Sequence, residues 1–173
     1  MKKKKKMKKN KKIIKLKTED GKTVEMSKKA ADRSEVLKKM ILDYPDESEL
    51  AVNVNYDALS KIKEYLEHYE STEPKEIKKP LQSEDFSKCV DEWDYNYIGK
   101  EENIETLKNL ILATNFLDIK PLLNLLSAKI GHKIKGINTG TIRTVFGIKD
   151  LNEEEKKQFD EDKKILEQQN INN

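Results

Sequence analysis

The densest apolar stretch of the chain, residues 107–136, most constrains how the protein can fold. Its Leu, Ile and Phe residues recur at helical spacing on either side of a break, which predicts two consecutive helices. Asn103 is expected to cap the first helix and Asp118 the second. Pro121 fits the first turn of the second helix, because that turn does not use its N–H group. This helix pair is expected to form the centre of the fold.

The predicted pair carries more apolar surface than one buried stripe requires. Leu112 and Phe116 lie one helical turn apart, beside Asn115 and away from the core stripe of the first helix. The two predicted core stripes are Leu107, Leu110, Ile111 and Leu117 on the first helix and Leu123, Leu126, Ile130 and Ile134 on the second, with Leu122 and Leu125 beside them. Two interpretations stay open. The pair is buried on all sides, as most Leu, Ile and Phe residues are, or one face receives a partner.

Composition places the chain among soluble intracellular proteins. Its 173 residues suit one domain with an appendage. No apolar run approaches the roughly 18 residues of a membrane span, and the basic start lacks a secretory apolar region. Cys89 is the only cysteine, which excludes an internal disulfide and any site built from several cysteines. We therefore expect a reducing compartment and no membrane association.

The charge of the chain is divided unevenly. Residues 1–12 contain nine lysines and no acid, and removing those nine from the formal charge of +3 leaves −6 for residues 13–173. A run of like charge is typical of a disordered, solvated tail. The alternative, contact with nucleic acid, is the weaker interpretation of residues 1–12.

The residues before the central pair predict a small sheet with helices. Alternating residues around Asp20-Gly21 predict a β-hairpin. Ser27 is expected to cap one helix that runs to Tyr44-Pro45, and Asn55 or Asp57 to cap a later one. The remaining predicted elements are a strand at 50–54, an exposed loop at 71–91 and a short helix containing Trp93, Tyr97 and Ile98.

The residues after Gly136 predict two further helices. The first is short, carries Ile142, Val145 and Phe146 on one side and ends at Gly147. The second begins after Asn152 and is highly charged. It has few apolar anchors, namely Phe159, Ile165 and Leu166, and so depends on packing for its stability.

Residue patterns for catalysis are weak in this sequence. His68 and His132 lie far apart and fit no triad or metal motif. Cys89 has no nearby histidine or C-x-x-C partner. The glycines do not match a phosphate-binding loop. We therefore expect no enzymatic activity, no cofactor and no metal.

The order of these elements resembles the BTB/POZ fold, a compact α+β interaction domain. Several motifs carry a closer resemblance: Ile14-Lys15-Leu16 with Asp20-Gly21, Asn53-Val54-Asn55, Trp93-Asp94, the block Asn115 to Lys120, and Ile142-Arg143 followed by Phe146, Ile148 and Lys149. Together they resemble the Skp family, the adaptors of Skp-cullin-F-box (SCF) ubiquitin ligases, over about residues 13–166. The resemblance implies a BTB/POZ domain at 13–136 and a C-terminal helical extension at 137–173 that binds the F-box.

The resemblance also implies a function and its sites. The protein would be a non-catalytic adaptor that joins a cullin to F-box proteins in the cytoplasm and nucleus, and would self-associate when no F-box is bound. Asn115 and Phe116 match the Asn-Tyr pair that faces the cullin, and Leu112 shares their face. The F-box surface would comprise Leu123, Ile130, Ile134, Ile142, Phe146 and Ile148, with Ile165 and Leu166 in the region of the family's C-terminal Trp.

The chain departs from the family pattern at a few positions. The usual Thr-Pro is Thr139-Gly140, no proline follows Pro121, and the C-terminal Trp has no counterpart. These differences concern the range of F-box partners. An adaptor similar to elongin C is the alternative, but that family ends near the central helix pair, whereas this chain continues. A nucleic-acid-binding protein led by residues 1–12 is the third hypothesis.

Overall fold

The computed structural model describes residues 12–101, 103–149 and 152–171. The chain forms two compact units, Met1–Lys133 and Ile134–Asn173. The second unit begins a few residues before Gly136, the predicted end of the BTB/POZ domain. Residues 1–11 of the predicted lysine-rich tail lie outside the described residues.

The first unit begins with a three-stranded sheet in the order β2-β1-β3. Strands β1 (Ile13–Lys17) and β2 (Thr23–Ser27) pair antiparallel, which confirms the predicted hairpin. Gly21 has a φ of 77° at the turn, a backbone conformation that glycine adopts without strain. Strand β3 (Leu50–Ala51) pairs parallel with the end of β1. The predicted strand at 50–54 was thus too long, although Val52 and Val54 are buried.

The predicted single helix after Ser27 is two helices. Helix α1 (Lys28–Ala31) is capped by Ser27, and α2 (Glu35–Asp43) by the buried Ser34, whose Oγ accepts from the backbone N–H of Leu37 at 3.1 Å. The prediction missed this break because a serine can also occupy a solvent-facing position in the middle of a helix. Helix α3 (Tyr56–His68) is capped by Asn55, which confirms the first of the two predicted caps.

Most residues of the predicted exposed loop, 71–91, are exposed, but several are partly buried and one is fully buried. Phe86, in a 3₁₀ turn over Phe86–Lys88, is only 3% exposed. Its ring lies near the Nζ of the buried Lys129 and the ring of His132. The predicted short helix follows as α4 (Glu92–Asp94), and it continues into a π-helical turn over Tyr95–Gly99.

The central pair is present as α5 (Ile104–Phe116) and α6 (Lys120–Ile134). Asn103 caps α5 as predicted. The prediction that Asp118 caps α6 was wrong, because Asp118 lies in the connecting turn with a φ of 47° and α6 begins at Lys120. The core face of α6 also differs from the predicted stripe. Its buried residues are Leu122, Leu125, Leu126 and Lys129.

The hydrophobic core lies within the first unit, where sheet and helices meet. Its largest fully buried side chains are Leu16, Met26, Leu37, Leu59, Ile62, Leu66, Ile98, Leu107, Leu110, Leu117, Ile119 and Leu122. Most of these come from the hairpin, α3 and the central pair. Within the part of the chain that the structure describes, no helix is long and apolar enough to cross a membrane.

The second unit contains α7 (Thr139–Phe146) and α8 (Glu153–Ile171). Asn138 caps α7, and Gly147 ends it with a φ of 61°. Asn152 and Glu155 hydrogen-bond to each other's backbone N–H at 2.9 Å, which forms a capping box at the start of α8. Among the described side chains of this unit, no apolar side chain is fully buried.

Candidate partner-binding surfaces

The outer face of α5 presents apolar side chains to solvent. Leu112 is 61% exposed and Phe116 is 46% exposed, and Asn115 beside them is also exposed. These are the three residues predicted to contact a cullin, and the structure brings them together at the C-terminal half of one helix. Large apolar side chains grouped on a surface commonly mark an interaction site. We refer to Leu112, Asn115 and Phe116 as the α5 face.

A depression of about 360 Å³ adjoins the α5 face. Besides Leu112 and Phe116, it is lined by Asn109 on α5 and by Glu19, Asn53 and Asn55 from the first half of the chain. The predicted cullin residues did not include these polar neighbours. Helical spacing could have found Asn109, which precedes Leu112 by one turn. Glu19 and Asn53 could be placed here only by the fold. A partner at this surface would meet an apolar centre with a polar rim.

The C-terminal end of α5 is held rigidly. The hydroxyl of Ser34 donates to the backbone oxygen of Leu117 at 2.5 Å, while it also caps α2. The backbone N–H of Ile119 donates to the oxygen of Thr114 at 3.2 Å. Two helices are thus joined next to Phe116. A surface on such fixed elements loses little conformational entropy when a partner binds.

The hairpin turn carries two neighbouring carboxylates, those of Glu19 and Asp20. The Asp20 carboxylate accepts from the backbone N–H of Tyr56 at 2.9 Å. Hydrogen bonds, the largest with the Thr18 side chain, hold the pKa of Asp20 below its ordinary value. The Asp20 carboxylate also lies 3.5 Å from the Lys22 ammonium, which balances part of its charge. Glu19 is the residue of this turn that lines the depression beside the α5 face.

The residues predicted to bind an F-box are distributed over both units. In the first unit, Leu123 and Ile130 are partly buried and lie beside the core face of α6. In the second unit, Ile134, Ile142 and Phe146 are also partly buried. Apolar surface is therefore left on α6 and α7 after each unit has packed.

The end of the second unit is more exposed still. Ile148 and Ile165 are each 52% exposed, and Phe159 on α8 is 60% exposed. Phe159 was predicted only as an anchor for α8 and not as a binding residue. The side chain of Leu166, the last predicted F-box contact, lies outside the described residues. A helix as charged as α8, with such apolar side chains exposed, is typical of a segment that packs against a partner.

The histidines and the cysteine take part in packing contacts. The ring of His68 stacks on Trp93 at 3.7 Å, and His132 lies 5.3 Å from the ring of Phe86. The Sγ of Cys89 lies 3.5 Å from the backbone oxygen of Ser83. Within the described ranges, no group of three or more His, Cys, Asp or Glu residues is arranged to hold a metal ion.

The carboxyl group of Asp94 is buried, with the residue only 2% exposed. Its Oδ1 accepts from the Tyr69 hydroxyl at 2.9 Å. Burial raises the pKa of Asp94, and it also raises the pKa of the Tyr65 and Tyr69 hydroxyls above the ordinary tyrosine value. These groups lie in a cluster of aromatic rings from α3, its C-cap and α4, in which Tyr65 contacts Tyr69 and Trp93 in tilted geometry. Their arrangement is that of a polar contact inside an aromatic cluster.

Two stretches of the chain match domains of one family. Residues 12–71 match the domain described as "Skp1 family, tetramerisation domain", and residues 120–165 match "Skp1 family, dimerisation domain". An S-phase kinase-associated protein 1 homolog from Tetrahymena thermophila is 38% identical over 157 residues, which span 90% of this chain and 94% of that protein. The chain belongs to the Skp1 family.

A second relative comes from Arthroderma benhamiae. It is named E3 ubiquitin ligase complex SCF subunit sconC, and it is 34% identical over 149 residues, or 84% of this chain and 90% of the relative. The first matched stretch holds the sheet and helices α1 to α3, and the second holds α6, α7 and most of α8. The predicted Skp resemblance and the α+β BTB/POZ fold are thereby confirmed. The α5 face lies between the two stretches.

Proposed function

We propose that this Skp1-family chain is a non-catalytic adaptor of an SCF ubiquitin ligase. In this role it joins a cullin scaffold to F-box substrate receptors, and so serves ubiquitin-dependent protein degradation. The observation that carries the proposal is the exposed α5 face of Leu112, Asn115 and Phe116, on a rigid helix of a chain whose relatives include an SCF subunit. An adaptor needs such a surface, together with a second one for the substrate receptor.

The α5 face is suited to bind a cullin. It offers an apolar centre, a rim of asparagines and a backbone that Ser34 fixes. Phe116 occupies the position at which the family has a tyrosine. A phenylalanine retains the ring and lacks the hydroxyl, so we expect the same binding mode with one hydrogen bond fewer.

The F-box surface is proposed on the partly buried and exposed apolar residues of α6, α7 and α8. In the free chain, Ile148, Phe159 and Ile165 leave about half or more of their surface in water. Burial of such side chains against an F-box would contribute roughly 25 cal/mol per Å². Without the family's C-terminal Trp, this chain depends on smaller side chains there, which favours a narrower set of F-box partners.

A double substitution tests the cullin surface. Replacing Asn115 and Phe116 with Lys should abolish binding to a recombinant cullin N-terminal domain, because two charges would enter an apolar contact. Circular dichroism should stay native, since both side chains are exposed. An unfolded double variant would mean that the residues belong to the core. A folded variant that still binds would place the cullin elsewhere.

A second substitution tests the F-box surface independently. Phe146→Ala should weaken binding of a recombinant F-box peptide and leave cullin affinity nearly unchanged, because effects at separate sites are close to additive. Both partners should co-purify with the wild-type chain. Recovery of the cullin without any F-box would instead favour an adaptor similar to elongin C.

Residence in the cytoplasm and nucleus, and self-association without an F-box, also belong to this proposal. Imaging of a fluorescently tagged chain tests the location. Analytical ultracentrifugation with and without F-box peptide tests self-association, which the peptide should suppress if both use the same surface.

A further inference from the structure

A groove of about 810 Å³ lies on the first unit, and it shares no lining residue with the depression beside the α5 face. One wall is the segment 74–82 of the long loop, and the opposite wall is the start of α6 with Pro121 and Asn124. Buried Tyr65, Asp94 and Leu125 form the floor. This volume is in the range of pockets that enclose a ligand or part of a peptide.

The loop wall is attached to the body of the protein by its own side chains. Lys79 Nζ donates to Oδ1 of Asn124 at 3.0 Å, across the groove entrance. Lys75 Nζ lies 3.0 Å from the Asp91 carboxylate. Ile77 is partly buried and packs against the core. The groove is therefore a formed feature of the fold, with an apolar side chain inside and lysines around its edge.

The edge of the groove is basic. Lys75, Lys78, Lys79 and Lys120 line it, against the two acids Glu76 and Asp94. Of the residues that the structure describes, none forms an ion pair with Lys78 or Lys120. Helix α6 has no acidic residue in its first turn, so the partial positive charge of its N-terminus adds to that of the lysines. This contrasts with residues 13–173 as a whole, whose formal net charge is −6.

We propose that this groove binds an acidic linear segment of a partner protein, in which an apolar side chain is flanked by Asp or Glu. The apolar side chain would contact Ile77 and Pro121, and the flanking carboxylates would lie near Lys78 and Lys120. The argument is charge complementarity around an apolar interior. The proposal is independent of the cullin and F-box surfaces.

The composition of the groove favours a peptide over nucleic acid or polyphosphate. A polyphosphate chain carries a closely spaced charge along its whole length and gains most from an uninterrupted basic surface. Here Glu76 stands among the lysines and Asp94 lies in the floor. The apolar side chains of Ile77, Pro121 and Leu125 also offer nothing to a phosphate, whereas they can remove a leucine or phenylalanine side chain of a peptide from water.

The test uses a fluorescein-labelled synthetic peptide in which Leu is flanked by Glu, titrated with the full chain in a fluorescence anisotropy experiment. Lys78→Glu with Lys120→Glu should weaken binding by about tenfold, because each reversal replaces an attraction with a repulsion. The matched control is Lys29→Glu with Lys39→Glu, two exposed helix lysines outside the groove. Both double variants change the net charge equally and keep residues 1–12. If residues 1–12 bound the peptide, its affinity would therefore fall equally in both variants.

A second measurement does not depend on the variants. In the wild-type chain, the methyl resonances of Ile77 and Leu125 should shift on peptide addition, while that of Leu112 should not. A peptide with Gln in place of Glu should produce much smaller shifts. Equal loss of affinity in the two double variants, unchanged Ile77 resonances, or equal binding of the Gln peptide would overturn the proposal. The proposal would also be overturned if inorganic polyphosphate shifted the same methyl resonances and bound more strongly than the peptide.

Discussion

Replacing Leu112 with Ala tests the proposal that a cullin binds the α5 face. The Leu112 side chain is 61% exposed, and complete burial of a leucine side chain contributes about 1.5–3 kcal/mol. Burial of the exposed part against a cullin would therefore contribute about 1–2 kcal/mol. Removing this part of the side chain should lower the affinity by about five- to thirtyfold. The free energy of unfolding should change by less than about 0.5 kcal/mol, because both residues favour helices and little core contact is lost.

Leu42 provides a matched control for this substitution. It is 68% exposed on α2, slightly more than Leu112, and does not line the depression beside the α5 face. Leu42→Ala should leave cullin affinity unchanged. Leu110, which is 2% exposed on the same helix as Leu112, should behave differently again. Its replacement with Ala should lower the free energy of unfolding by about 2–5 kcal/mol.

The measurement is isothermal titration calorimetry with a cullin N-terminal domain, paired with urea denaturation of each free variant. The reasoning fails if Leu112→Ala retains wild-type affinity at unchanged stability. It also fails if Leu42→Ala weakens binding as much, since loss of any exposed leucine would then have the same effect. A large stability loss in Leu112→Ala would mean that the side chain packs in the core.

Gly99→Ala should lower the free energy of unfolding by about 1–3 kcal/mol, because a Cβ there would overlap the ring of Tyr95. Gly131→Ala, with open space around its Cβ, should raise it by about 0.5–1 kcal/mol, and urea denaturation that shows equal effects would refute this contrast. Burial raises the pKa of Asp94. Between its ordinary pKa of 3.8 and the raised one, the folded chain keeps a proton on Asp94 that the unfolded chain has released, so the contribution of Asp94 to stability falls as pH rises through this range. Asp94→Asn should therefore become more stable relative to wild type as pH rises from about 4 to about 6 in urea titrations, and a constant difference would contradict the shift. Amides of α8 should exchange quickly in the free chain and slowly with an F-box bound, whereas full protection in the free chain would indicate a preformed surface.

Features that depend on neighbours along the chain were predictable. The caps at Asn55, Asn103 and Asn152, the hairpin and the left-handed end of α7 at Gly147 all follow from contacts within a few residues. The exposed pair Leu112 and Phe116 was predictable for a related reason. Helical geometry places these two residues on one side and Leu107 and Leu110 on another, whatever the helix packs against.

Features that depend on distant residues were not predictable from the same patterns. The buried face of α6 proved to be Leu122, Leu125, Leu126 and Lys129, because a helix with apolar residues on several sides presents more than one suitable face. Packing volume decides among them. The break before α2 likewise depends on Ser34, whose partner Leu117 is 83 positions away.

The sequence by itself determined the order of the main elements, several of their ends and the existence of apolar surface beyond the core, because hydrogen bonding and side-chain periodicity are local properties of a chain. Only the tertiary structure decided which apolar residues are buried, that part of the long loop is packed against the body, and that its lysines meet Lys120 at one groove. Lys79 and Asn124, which join the two walls, are separated by 45 positions. Such contacts depend on how the whole chain fills space, and no local pattern encodes that.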